Sequence, residues 1–183
     1  FIAGCLLLAL GFQIHFSLNS AGQYLRVAAP ERLPWLMPVF WIGFNLAMFP
    51  GAALAGRHGT LPVIAVAALI GAAASLAGAY VRDLDMLLAA QFVAGGAWGC
   101  IMMASFAAAL EYGRTGREGL ALGLLFAVLA AAALGRIAAV ALEINKIQGL
   151  APALEWLPFV LWFTAGLLFI TLARISHGRS SPS

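Results

Sequence analysis

FIAGCLLLALGFQIHFSLNSAGQYL, residues 1–25, decides how the rest of the chain is read. The stretch is long and apolar enough to cross a bilayer, which takes about 20 residues of helix. It nevertheless carries Gln13, His15, Ser17, Asn19, Ser20 and Gln23. At about 100° per residue, Gln13, Ser17 and Ser20 share one narrow stripe of such a helix. His15, Asn19 and Gln23 step along a second stripe beside it. Gly11, Ile14, Leu18, Ala21 and Leu25 fill the opposite half. The helix therefore has one face for lipid or apolar neighbours and one for water, solute or polar protein.

The whole chain has the same character. Hydrophobic residues make up 63% and charged residues 9%, with mean hydropathy +0.98. Soluble domains carry about a quarter charged residues, so this composition is that of a polytopic membrane protein. A net charge of +3 gives no reason to invoke nucleic acid, and the basic and aromatic residues are not interleaved as a single-strand binder requires. The first span is not a signal peptide, because it lacks a basic flank and polar residues interrupt its core. A start at Phe1 rather than Met predicts an excerpt or a processed form. Nine Arg to one Lys, with abundant Ala and Gly, matches a GC-rich and therefore bacterial coding bias. Cys5 and Cys100 both fall inside apolar spans and read as packing residues rather than a disulfide or metal pair.

The apolar runs predict an all-α membrane protein with six transmembrane helices, at about 1–25, 34–55, 60–80, 86–112, 119–142 and 154–173. They form one bundle over 1–175, followed by a polar cytoplasmic tail, 176–183. Pro34 suits a helix start, and Pro50 predicts a kink. Gly56 to Gly59 reads as a tight loop, and the Ser-rich stretch from Arg174 onward as disordered. Six spans put both ends on one side. That side would carry Arg57, Arg114, Arg117, Arg174 and Arg179, against Arg26, Arg32, Arg82 and Lys146 on the other. The positive-inside rule then places both termini in the cytoplasm, and a bacterial origin makes the membrane the inner one. Three spans per half force opposite orientation, so the plan is two inverted three-helix repeats.

Ala52 to Thr60 reads Ala-Ala-Leu-Ala-Gly-Arg-His-Gly-Thr. This resembles the loop motif of the major facilitator superfamily, Gly-x-Leu-Ala-Asp-Arg-x-Gly-Arg-Arg. Leu54, Ala55, Arg57 and Gly59 match; Ala52, Gly56 and Thr60 depart from it. Gln91 to Gly99 looks like the glycine-rich segment of a tenth helix in that family. The resemblance covers the chain as the C-terminal six-helix half of a 12-helix fold. It implies that the first and fourth spans face a central cavity, that the second and fifth pack on a companion N-terminal half in the same or a separate chain, and that the third and sixth lie outside.

Gln13, His15, Ser17, Asn19, Ser20 and Gln23 are the leading candidates for lining a cavity that hydrogen-bonds a polar solute. Polar contact between packed helices is the plainer alternative. His15 could carry a proton, although a packed neutral imidazole is the simpler reading. Arg136, within the fifth span, either holds an anionic group or snorkels to the interface. In the fourth span Gln91 and Trp98 could border the cavity, while Gly95 and Gly99 form a small-xxx-small pair for close approach. Asn45 either lines the cavity or meets the other half. Trp35, Trp41, Trp156, Trp162 and Tyr24 read as interfacial belt residues.

No nucleotide loop, metal cluster or nucleophile motif occurs, so neither a cofactor nor an enzyme activity is expected. The expected function is secondary active or facilitative transport of a small polar or anionic solute by alternating access. The alternative is a non-transporting membrane subunit or assembly factor on the same fold.

Overall fold

The computed structural model describes residues 1–144, 147 and 149–179, with Ala151 and residues 177–179 as backbone only. Lys146 and the last four residues of the expected tail lie outside that set. Among the described residues the chain is all helix, turn and short connector, with six helices long and apolar enough to cross a membrane. Lipid offers no partners for backbone polar groups, and a helix satisfies them within itself.

Span one is Ile2–Leu25 and span two Pro30–His58. Span three is Thr60–Tyr80, span four Leu84–Gly113 and span five Glu118–Ala141. Span six is Leu150–Arg179. These elements correspond to the six predicted spans, with two differences, one in a connection and one at the end of span six. The Gly56–Gly59 loop is a single residue, because span two stays helical to His58 and only Gly59, at φ 87°, separates it from Thr60. That left-handed backbone is open to glycine without steric cost. Pro50 sits inside the uninterrupted helix Pro38–His58. Residues 174–179 are helical rather than a disordered tail.

Span four is the hub and packs against spans two, three and five. Span three also packs on span six, and span one on spans five and six. Helices in lipid gain little from excluding water, so small residues that let backbones approach closely drive association. Spans two and four meet in that way. A β-carbon at Gly95 would land on the Phe40 carbonyl oxygen, and one at Gly99 would lie 2.5 Å from that of Phe44. Span three buries Ala65, Ala68, Ala72 and Ser75 between its neighbours. It is therefore well buried within this six-helix bundle.

Trp162 locks spans one, three, four and six together. Its indole lies in a slot left by Gly11 and Gly71. It donates Nε1–H to the Leu8 carbonyl at 2.9 Å and stacks at 5° and 6.3 Å on Trp98. Trp162 is 0% exposed and Tyr24 1%, so neither is a belt residue. Trp35, at 84%, does lie on the surface.

Candidate functional site

The polar face of span one is built by a change of helix type. The segment Gln13–Asn19 is π-helical between two α-helical stretches. The Ser20 backbone N–H reaches back five residues to the His15 carbonyl, and the Ser20 hydroxyl donates to the same oxygen at 2.9 Å. A π segment holds an extra residue per turn and so alters the facing of everything beyond it. Ser20 leaves the Gln13–Ser17 stripe and joins His15.

The outcome is a buried hydrogen-bond knot between spans one and four, centred on Gln91. Gln91 Oε1 lies 3.1 Å from His15 Nε2 and also accepts from Ser20 Oγ at 3.3 Å. Gln91 Nε2 donates to Gln23 Oε1 at 2.9 Å. An amide oxygen only accepts, so His15 Nε2 carries the proton and donates to Gln91 Oε1. His15 Nδ1, Gln23 Nε2 and the Tyr24 hydroxyl are buried without a hydrogen-bond partner among the described residues.

Asn19 has a different task. Pro158 has no N–H to give the carbonyl four residues earlier, that of Leu154. Asn19 Nδ2 donates to that carbonyl at 2.8 Å, so a polar residue of span one repairs the proline defect of span six. Beyond it, Arg26 pairs with Glu155 at 2.8 Å and donates to the carbonyls of Gly78 and Ala79, both at 3.1 Å. These carbonyls end span three, where a cation complements the helix dipole.

The sequence candidates therefore divide. His15, Asn19, Ser20, Gln23 and Gln91 are brought together inside the bundle. In this structure they form polar contact between packed helices, the plainer of the two readings, with most of their hydrogen-bonding groups turned to one another and to the Leu154 carbonyl. Trp98 is also interior, stacked on Phe12 at 4.5 Å and 3°. Gln13 and Ser17 stay at the surface, joined by a 3.5 Å hydrogen bond. Asn45 is exposed, with its amide donating to the Trp41 carbonyl of its own helix at 2.7 Å. Phe12 and Phe16, each one residue before Gln13 and Ser17, pack edge-on against the half-exposed Trp41. Arg136 is half-buried and makes no hydrogen bond or ion pair among the described residues. Arg57 and Gly59 lie exposed at the end that carries both termini.

Two clefts open at that same end. One, of 540 Å³, includes Ala52, Gly56, Thr60, Phe106 and Glu111; the other, of 410 Å³, includes Thr60, Pro62, Glu111, Arg114 and Ser176. Neither contains a residue of the buried knot. Among the described residues no group of three His, Cys, Asp or Glu could hold a metal ion. Sequence reasoning missed the Arg26–Glu155 tie and the Asn19 repair. Pro158 within an apolar run was the available signal for the second, since it leaves the carbonyl at position 154 in need of a donor.

The fold and site define an all-helical integral membrane protein of six spans, with a buried polar knot and a small polar strip at its surface. No family model, curated protein or solved structure matches the chain.

Proposed function

We propose that this chain is the C-terminal six-helix half of a major facilitator-like transporter. It moves a small polar or anionic solute by alternating access against a companion half, with both termini in the cytoplasm of a bacterial inner membrane. The observation that carries this reading is the packing scheme. If spans one, two and three are exchanged with four, five and six, three sets of contacts find a counterpart, although span four on five and span two on three are matched only weakly or not at all by one on two and five on six. Span two on four answers five on one, three on four answers six on one, and three on six answers itself. Such an exchange is what two inverted three-helix repeats require. Spans two and five also turn the largest apolar areas outward, including Leu46, Phe49, Leu120 and Leu134, as helices that receive a companion half would. The solute-facing groups are then Gln13, Ser17 and Asn45, with Arg136 as the fixed charge for an anionic group.

A second reading, a non-transporting subunit or assembly factor, is favoured by one specific observation. Most of the polar groups of span one are used up inside the bundle. The two readings separate in proteoliposomes. Uptake would be screened over labelled sugars, polyols, amino acids and carboxylates, using the intact protein and its Gln13→Leu variant. Transport requires uptake of one solute that Gln13→Leu lowers without loss of inserted protein. No uptake of any solute, together with stable co-purification with a larger complex, would support the subunit.

A further inference from the structure

We infer that span one carries a register switch, in which the π segment Gln13–Asn19 reverts to α-helix and turns the outer stretch, Ser20 to Leu25, about its axis. Angles around the helix make the case. Counted at 100° per residue from Phe12, an unbroken α-helix sets Gln13 at about 100°, Ser17 at about 140°, Ser20 at about 80° and Tyr24 at about 120°. All four polar residues would then share the surface strip that Gln13 and Ser17 occupy now. The extra residue held in the π segment turns the outer stretch back by about 100°. Ser20 and Tyr24 accordingly point inward, and Gly22 faces open space, with nothing within 4 Å of where a β-carbon would lie.

Three observations mark the inward register as one of two. Its polar knot is only partly satisfied, since His15 Nδ1, Gln23 Nε2 and the Tyr24 hydroxyl have no partner among the described residues. Turning outward gives the Tyr24 hydroxyl a polar strip to join. The inward register is also held by a separable clamp, Arg26 on Glu155 and on the end of span three. Finally, the turn leaves a covered position for Gln23. It would move to the angle that Tyr24 holds now, beside Leu36 and Leu87. The switch is a property of the helix and stands whether or not the chain transports a solute.

The test is thiol accessibility to N-ethylmaleimide in the intact protein, in a background with Cys5→Ala and Cys100→Ala. Single cysteines replace Ser17 (open in both registers), Ala68 (buried in both), Ser20, Gln23 and Tyr24. Ser20→Cys should react more slowly than Ser17→Cys and faster than Ala68→Cys. Releasing the clamp with Glu155→Gln should raise the rates at positions 20 and 24 together by about fivefold, the factor of an exposed ion pair at the upper end of its range. Position 23 should not change. Deleting Leu18 removes the spare residue, fixes the inward register in a plain α-helix and should cancel the rise. A rate at position 20 equal to that of Ala68→Cys, with and without Glu155→Gln, overturns the switch. So does a rise at position 23 equal to that at position 20, which would mean fraying. If the deletion variant does not insert, the contrast between positions 20 and 23 decides alone.

Discussion

Gln91→Leu is the sharpest probe of the buried knot. Gln91 is 1% exposed and joins span four to three side chains of span one. Leucine keeps the volume and removes every polar atom, so the loss is in hydrogen bonding rather than packing. Two of the bonds, to His15 and Gln23, have good lengths, and the third, from Ser20, is the long branch of a shared hydroxyl proton. Leaving a buried donor or acceptor unpaired costs about 1–3 kcal/mol in a soluble core. Within a membrane, interhelical hydrogen bonds average about 0.6 kcal/mol and reach about 1.7, because the unfolded chain also finds partners there. The membrane scale applies here, and the loss should be about 2 kcal/mol. Gln23→Leu alone should cost about 1 kcal/mol. The double variant should cost about 2 kcal/mol rather than about 3, because the second change removes a partner already lost. The assay is reversible unfolding in mixed micelles with rising dodecyl sulfate, followed by the fluorescence of the buried Trp98 and Trp162. Strict additivity of the two losses would refute the bond between Gln91 and Gln23, and with it the inward facing of span one.

Other outcomes follow from the same contacts. Asn19→Leu should destabilise by about 1 kcal/mol in the parent and by much less in a Pro158→Ala background, where the introduced alanine supplies the N–H that the Leu154 carbonyl lacks; equal losses in the two would remove the repair. Gly95→Ala should cost about 3 kcal/mol in the same unfolding titration, the upper end for overpacking, because the obstacle is the Phe40 backbone carbonyl. Gly22→Ala, in open space, should stay within about 0.5 kcal/mol. Glu155→Gln should cost under about 1 kcal/mol, since the paired side chains are 24% and 36% exposed. Arg26→Gln should cost more, because the carbonyls of Gly78 and Ala79 lose a donor as well, and a smaller loss would argue against the cap on span three.

Much of the architecture was legible in the chain. Span number and span position follow from hydropathy, because a helix crossing lipid needs an unbroken apolar stretch and announces it locally. The close approach of Gly95 and Gly99 was legible for a similar reason, since one helix carries both residues at one spacing. Facing was not legible. Gln13, Ser17 and Ser20 share a stripe only if the helix is α throughout, and whether residues 13–19 tighten or widen depends on what Ser20 and Gln23 find across the bundle. Trp162 reads as a membrane-belt residue because its slot consists of two glycines on two other spans.

By itself the sequence determined that this chain is a six-helix membrane protein whose first span carries an excess of polar side chains. Composition and run length suffice for that, since each span must satisfy its own backbone in lipid. Only the tertiary structure decided where those side chains go. Gln91 of span four and the proline-freed carbonyl of Leu154 in span six offer hydrogen bonds that lipid cannot match. Those partners lie 68 to 135 residues away in the chain, and the π segment is the local turn that brings His15, Asn19, Ser20 and Gln23 to meet them.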